Sequence, residues 1–296
     1  MSGLVKISNI INRVRLIHII VTASALICIF VANAAMAQEV TPWSMSVYLP
    51  VYQKADFKDI PGHVGVSRTL TNLSYTKASQ GVWTYSAVIM QSRYIFGGGA
   101  PTTPSDARDF SIGATYFKPG TLWSWFLTAN VHDSVADNAS FGDGGYTEFG
   151  GGLIRAVNQK LIIGLSAVGR TEIEKDNAYG LAPYIEYDIN EHSRIGTVRS
   201  TDPSIGYTYI FDNNYELYFI AHSGQSQFRI DKNLAVIDLE TGFRIGATYH
   251  NQSGLTLEGF VGTVSRTVEY DQSGAELVDT SIDATTFAGI GVSTKF

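Results

Sequence analysis

The sequence predicts an all-β chain: a transmembrane, antiparallel, up-and-down β-barrel of 14 strands preceded by a cleaved signal peptide. Three observations predict it. The N-terminus carries an export signal, the rest of the chain alternates with period two and has no long apolar run, and the connections between segments are alternately short and long.

The export signal occupies residues 1–37. Lys6, Arg13 and Arg15 precede an apolar run from Leu16 to Ala32, and Ala35-Met36-Ala37 before Gln38 is a small-x-small cleavage site. An uncleaved N-terminal membrane helix is the alternative, since the run approaches the ~20 residues that a span needs. The single cysteine, Cys28, follows Leu26-Ile27, which lacks the small residue a lipoprotein site requires. Residues 38–296, the expected mature barrel domain, hold no cysteine and therefore no disulfide framework or thiolate chemistry. The leader carries three of the 21 basic residues and none of the 27 acidic ones, so its removal takes the net charge from −6 to −9. An acidic chain without a basic stripe argues against nucleic acid as a partner.

Only 16% of the residues are charged, while Gly, Tyr and Phe number 29, 16 and 15, which is unusual for a soluble enzyme. After Ala37 no run approaches the ~18 apolar residues of a membrane helix. A chain of this kind crosses a bilayer only as a closed ring of strands, because every backbone N–H and C=O must be satisfied within it.

The strands follow from alternation. Trp123, Trp125, Leu127, Ala129 and Val131 form an apolar row among Ser124, Thr128, Asn130 and His132; Leu239, Phe243, Ile245, Ala247 and Tyr249 form another, interleaved with Glu240, Gly242, Arg244, Gly246 and Thr248. Short turns fall at Lys118-Pro119-Gly120, Asn158-Gln159, Asn190-Glu191-His192, Asp212-Asn213-Asn214 and Asn251–Gly254, all rich in residues that tolerate tight geometry. Longer stretches separate them: Phe96–Ala107, Asp133–Gly145, Glu172–Tyr179, Asp231–Ile237 and Asp271–Ser281. Short turns on one rim and long loops on the other are the outer-membrane pattern. The resulting strands lie near 43–52, 64–77, 82–95, 108–117, 121–132, 145–157, 160–171, 181–189, 193–199, 203–211, 215–230, 238–249, 255–270 and 282–296, with both termini on the short-turn side. The pair 193–199 and 203–211 is the least defined, and 12 strands is the alternative.

The chain ends in Phe296, which shares a face with Thr294, Val292, Ile290 and Ala288, while Lys295, Ser293, Gly291 and Gly289 take the other. A terminal aromatic on an amphipathic last strand resembles the signal read by the outer-membrane assembly machinery, which makes Phe296 the candidate assembly residue. With the apolar rows outward, Glu148, Arg170, Glu186, Glu240, Arg244, Glu258, Arg266 and Lys295 become candidate lumen-lining charges, and Arg244 and Glu258 are expected within one diagonal step of each other. Such a lumen is either a polar pore selecting solutes by charge or a salt-bridged, plugged interior.

No catalytic residue, metal or cofactor is expected. His222 and Ser223, the only pair suggestive of a lipid-active enzyme, are adjacent and so point to opposite faces of a regular strand. The loop Asp133–Gly145, with Asp133, Asp137, Asn138 and Asp143 among glycines, offers oxygen ligands but not the spacing of a calcium loop, and reads as a solvated loop.

The C-terminal half carries a family resemblance. Ser226-Gln227-Phe228-Arg229-Ile230-Asp231, preceded by Pro203-Ser204-Ile205-Gly206-Tyr207-Thr208-Tyr209 and by Leu181-Ala182-Pro183-Tyr184-Ile185-Glu186-Tyr187, resembles a family of bacterial outer-membrane barrels classed as a domain of unknown function. The resemblance covers the chain from about Gly145 onward and implies a barrel without implying a substrate or catalytic residues. Members tend to have Arg or Glu before the Phe-Arg pair where this chain has Gln225, Ser226 and Gln227, so no charge-based role carries over to that strand. The expected setting is the outer membrane of a Gram-negative-type bacterium. A monomer there would contact lipid and lipopolysaccharide and meet the barrel-assembly machinery during biogenesis. A passive diffusion channel for small solutes is the first expectation, with a structural or surface-interaction barrel as the alternative.

Overall fold

The computed structural model describes residues 43–97, 106–136, 139–197, 204–211, 214–272 and 275–296; the leader, with Cys28 and its cleavage site, lies outside them. Within them the chain is β throughout. The strands are β1 (Trp43–Asp56), β2 (His63–Ala78), β3 (Val82–Gly97), β4 (Asp106–Lys118), β5 (Ser124–Ala136), β6 (Gly145–Ala156) and β7 (Leu161–Glu172), then β8 (Lys175–Asn190), β9 (Ser193–Thr197), β10 (Ser204–Ile210), β11 (Tyr215–Asp231), β12 (Leu234–His250), β13 (Leu255–Gln272) and β14 (Ala275–Lys295). Each pairs antiparallel with its sequence neighbours, and β1 pairs with β14, so the ring closes with 14 strands. The strands least defined in the sequence, β9 and β10, both belong to the wall, linking β8 to β11. Closure is completed at the termini, where the Trp43 and Phe296 backbones exchange hydrogen bonds of 3.1 and 2.9 Å on the short-turn side.

Local chemistry sets that rim. The Asn158 side-chain oxygen accepts from the Lys160 and Leu161 amides at 2.8 and 2.9 Å, Asn190 accepts from His192 at 2.9 Å, and Asn251 accepts from Ser253 at 2.6 Å. These side-chain bonds mimic a backbone turn and leave two-to-four-residue connections. Gly254 closes the last of them at φ +85°, a left-handed conformation that strains any residue with a Cβ.

The opposite rim departs from expectation. Glu172–Tyr179, Asp231–Ile237 and Asp271–Ser281 are not loops: β8 starts at Lys175, β12 at Leu234 and β14 at Ala275, and paired strands run almost to the tips of these hairpins. None of them alternates: Glu172–Tyr179 and Asp271–Ser281 are mostly polar, and Leu234-Ala235-Val236-Ile237 is apolar at consecutive positions because both of its faces are enclosed. The β7–β8 turn is also unmarked by glycine, since Glu174 itself takes the left-handed conformation at φ 62°. A strand of 21 residues such as β14 greatly exceeds the ~9–11 that cross a bilayer.

The apolar rows face outward as expected. Leu127, Val131, Phe243, Ile245 and Val261 are each more than half exposed. Beside the short turns the outward residues are aromatic: Trp43 against Tyr75, Trp83 against Tyr116, Tyr116 against Trp125 and Tyr215 against Tyr249, with ring centroids 4.6 to 5.2 Å apart. This is the girdle that amphipathic rings form at a bilayer interface.

Candidate functional site

The interior is divided by one hairpin. Beyond His222, β11 has no β10 partner among the described residues, while β12 stays paired with β13 back to Leu234. The outer part of the hairpin, from Gly224 to Glu240, thus folds across the mouth as the free edge of this sheet until Arg229 pairs with Val135 of β5, six places away in a ring of 14. Both faces of the hairpin are covered. Phe228, Ile230 and Val236 pack with Tyr94, Val64, Val66 and Val268 on one side. On the other, Ala235 packs with Tyr146 and Ile173.

The two attachments differ in kind. At its root, Asp238 is enclosed and receives the Arg68 guanidinium at 2.8 Å, the Tyr94 hydroxyl at 3.1 Å and the Arg266 guanidinium, while Glu240 takes the second arm of Arg68 at 3.0 Å. At its far side the ties are side-chain hydrogen bonds and one ion pair to the end of β7, the β7–β8 turn and the β5–β6 connection. Gln227 accepts from the Ile173 amide at 3.0 Å and donates to the Thr171 carbonyl, Gln225 donates to Glu172 at 3.0 Å, and Arg229 pairs with Glu174 and donates to the Asp143 carbonyl.

Below the hairpin the walls also differ. On β11–β14 and β1, large rings lie flat over glycines of the neighbouring strand. A Cβ at Gly246 would fall 2.3 Å from the Tyr218 hydroxyl, at Gly262 2.6 Å from the Phe287 ring, at Gly289 2.4 Å from Phe260 and at Gly291 2.6 Å from Tyr48. On β4–β8 the inner face mixes Phe117, Phe126, Ile154, Val168 and Tyr184 with a band of small residues, Gly113, Thr115, Thr128, Gly150, Ser166, Gly180 and Ala182; the Phe126 ring covers Gly152, whereas no ring covers Gly150 or Gly180. A polar cluster stands where this wall meets the hairpin. His132 contacts both Asp109 oxygens at 3.2 Å, approaches Glu148 at 3.5 Å and stacks on Tyr146, and Glu148 pairs with Arg170 at 3.1 Å.

The candidate lumen charges therefore fall into separate groups. Glu148 and Arg170 meet each other; Glu186 lies 3.4 Å from Arg194 near the short-turn rim; Glu240 and Arg266 belong to the buried root of the hairpin. Lys295 is exposed at the short-turn rim beside Gly254. Arg244 and Glu258 share the inner face, but Glu258 is opposite Thr248, so they stand two diagonal steps apart and not one, with Tyr218 between them. Arg68, Asp109, His132 and Asp238 were not singled out from the sequence, although each sits in phase with an inward row; the polar members of the rows at 64–77 and 108–117, and a β12 row extended back to residue 238, would have found them.

His222 and Ser223 lie on opposite faces, His222 inward at 3.8 Å from Glu240 and Ser223 outward beside Thr241. Asp133 spends its carboxylate on the Gly142 and Gly144 amides at 2.8 and 3.2 Å, and Asp143 accepts from Ser140 at 3.1 Å; Asp137 and Asn138 lie outside the described residues.

The structure of the COG4313 outer membrane channel from Pseudomonas putida F1 superposes with a TM-score of 0.50 over 88% of this chain and 97% of that one, at 10% identity. This chain has an outer-membrane β-barrel fold. The resemblance to an outer-membrane barrel family read from the sequence agrees with it. The KdgM porin, at a TM-score of 0.38, 12% identity and coverage of 85% and 99%, overlaps this barrel less. So does LpxR from Salmonella typhimurium, at 0.38, 9%, 86% and 100%. No family model matches the sequence, and no curated protein is similar to it at a significant level.

Proposed function

We propose that this barrel is an outer-membrane channel for small solutes whose outer mouth is closed by the β11–β12 hairpin. The observation that carries this reading is the band of small inward residues Thr115, Thr128, Gly150, Gly180 and Ala182 across β4–β8, where no ring lies over Gly150 or Gly180 as rings lie over the glycines of the opposite wall. A ring of 14 strands is wider than one layer of side chains can fill, so such a band is a route for solute. The hairpin is the gate. Its β12 strand is held by the ladder to β13 and its root by enclosed ion pairs and a hydrophobic core, while its β11 edge is held across the mouth by the Arg229–Glu174 pair and by side-chain hydrogen bonds that water can replace. Its lipid-facing belt meets lipid and lipopolysaccharide, and Phe296 is the residue that the assembly machinery reads. The separation of His222 from Ser223 supports a non-enzymatic barrel.

Planar-bilayer recording of the purified protein tests this. The intact barrel should give rare openings, and replacing Ser226–Val236 by two glycines should give steady stepwise conductance. Silence from the shortened barrel overturns the channel. A plugged scaffold is the second reading, favoured by the near-complete burial of Phe228, Ile230 and Val236, and it would leave both proteins silent.

A further inference from the structure

Inside this barrel the arginines find carboxylates. Arg68, Arg170, Arg194 and Arg266 each lie within 4.0 Å of Asp or Glu. Arg244 does not, among the described residues. Its guanidinium carbon stands 5.4 Å from the Tyr218 ring centroid and 5.1 Å from that of Phe260, and its Nε is buried without an acceptor. Ring faces hold the cation in place but accept none of its five N–H groups, so the fork remains unspent. Glu258 is the complementary case. It takes the Tyr218 hydroxyl and, among the described residues, faces no cation at ion-pair distance.

Both groups are half-buried on one inner face, four positions apart along the β12–β13 register. That is about 13 Å between backbones, less the reach of two side chains leaning toward Tyr218, and a solute of amino-acid size fits it. Tyr48 and the Glu258 stem both border Gly291, and Phe260, whose ring carries Arg244, is pressed over Gly289, which leaves an aromatic surface beside the charge pair. A lone anion would be opposed by Glu258, and a lone cation by Arg244.

We infer that Arg244 and Glu258 form a binding subsite for a small zwitterion, its carboxylate on the Arg244 fork and its ammonium on Glu258, with an apolar or aromatic side group on Tyr48 and Phe260. The inference rests on the channel reading in that the lumen is the solute's route, and it names the solute class.

Equilibrium dialysis of the detergent-purified barrel with radiolabelled phenylalanine tests the subsite, with 3-phenylpropionate and phenethylamine as competitors carrying one charge each. Phenylalanine should bind roughly tenfold or more tightly than either competitor, the ratio expected when one charge-assisted contact is lost. Arg244→Gln should erase its advantage over phenethylamine, and Glu258→Gln its advantage over phenylpropionate. Arg244→Lys, which keeps the charge and loses the fork, should fall between. Equal binding of the three compounds by the unaltered protein, or a preference unchanged in both Gln variants, overturns the subsite. Liposome swelling in arabinose, a neutral sugar, separates the two readings. Arabinose entry without zwitterion preference removes the subsite and leaves the channel; zwitterion binding without permeation of any solute, even from the hairpin-shortened barrel, does the reverse.

Discussion

On the inner face of β11–β14 and β1–β3, rings and enclosed ion pairs occupy the space, with Tyr52 stacked on Phe287 at 5.1 Å, Tyr94 against Phe228 at 5.3 Å and Asp238 shared by Arg68 and Arg266. On β4–β8 the same alternation places a band of glycine, hydroxyl and alanine side chains inward among fewer rings, Phe117, Phe126 and Tyr184, and the Glu148–Arg170 pair stays partly open to solvent. The strands on both sides obey one rule of apolar out and polar or small in. They differ in how far each inward side chain reaches and in whether the hairpin covers it. The first wall is packed as a domain core and the second is more open, so matched substitutions on the two walls should have unequal effects.

The largest difference is expected at the ion pairs. Asp238→Ala leaves Arg68 and Arg266 enclosed together without their shared counterion, and removing one partner of a buried pair costs about 3–5 kcal/mol. Glu148→Ala leaves Arg170 and His132 partly hydrated and should cost about 1 kcal/mol. Urea titration in detergent, followed by heat-modifiable migration on gels, measures both. Equal losses would mean that the two walls are equally packed.

Glycine substitutions sharpen the comparison at a smaller scale. Gly262→Val drives a side chain into the Phe243 carbonyl, 2.3 Å from an ideal Cβ, and into the Phe287 ring, and should cost about 1–3 kcal/mol by overpacking. Gly180→Ala meets only a Val168 methyl at 3.6 Å, and the same titration should move by less than about 0.5 kcal/mol.

The smallest effect on stability is expected at the C-terminus. Deleting Phe296 also removes the two backbone hydrogen bonds that join it to Trp43, so substitution is the cleaner experiment. Phe296→Ala keeps both bonds and should cost at most about 2 kcal/mol in detergent refolding, the transfer value of a partly buried aromatic. In cells the same variant should lower the amount reaching the outer membrane several-fold, read by membrane fractionation. Normal assembly would show that the ring itself, and not the terminal aromatic, is what the machinery recognises.

Much of this was legible in the residues. The phase of every second residue from Trp123 to Val131 and from Leu239 to Tyr249 gave the face of each strand, because lipid and lumen are different solvents on the two sides of one pleat. Asn158, Asn190 and Asn251 marked their turns because a short amide side chain satisfies the tight backbone locally. The aromatic girdle was present in the sequence as Trp and Tyr beside those turns, and it emerges once the turns are aligned on one rim. The extended hairpins were not legible, since paired strands with the same surroundings on both faces, solvent in one hairpin and core in another, need not alternate, and Glu174 gives no sign of its turn.

By itself, then, the sequence determined that the chain alternates, turns tightly on one side and closes as strands, because each of those properties depends on neighbours within a few residues. It also set the phase of the charges on the cleanly alternating rows, such as Glu240 and Arg244, but not of Arg68, Asp109 or Asp238. Whether an inward charge lines a passage or disappears into a core was decided only by the tertiary structure. Asp238 meets Arg68 across 170 positions, and β11 meets β5 across half the ring. Those contacts depend on where a bent hairpin comes to rest inside a closed barrel, and a repeat of period two carries no information about what stands on the far side of the lumen.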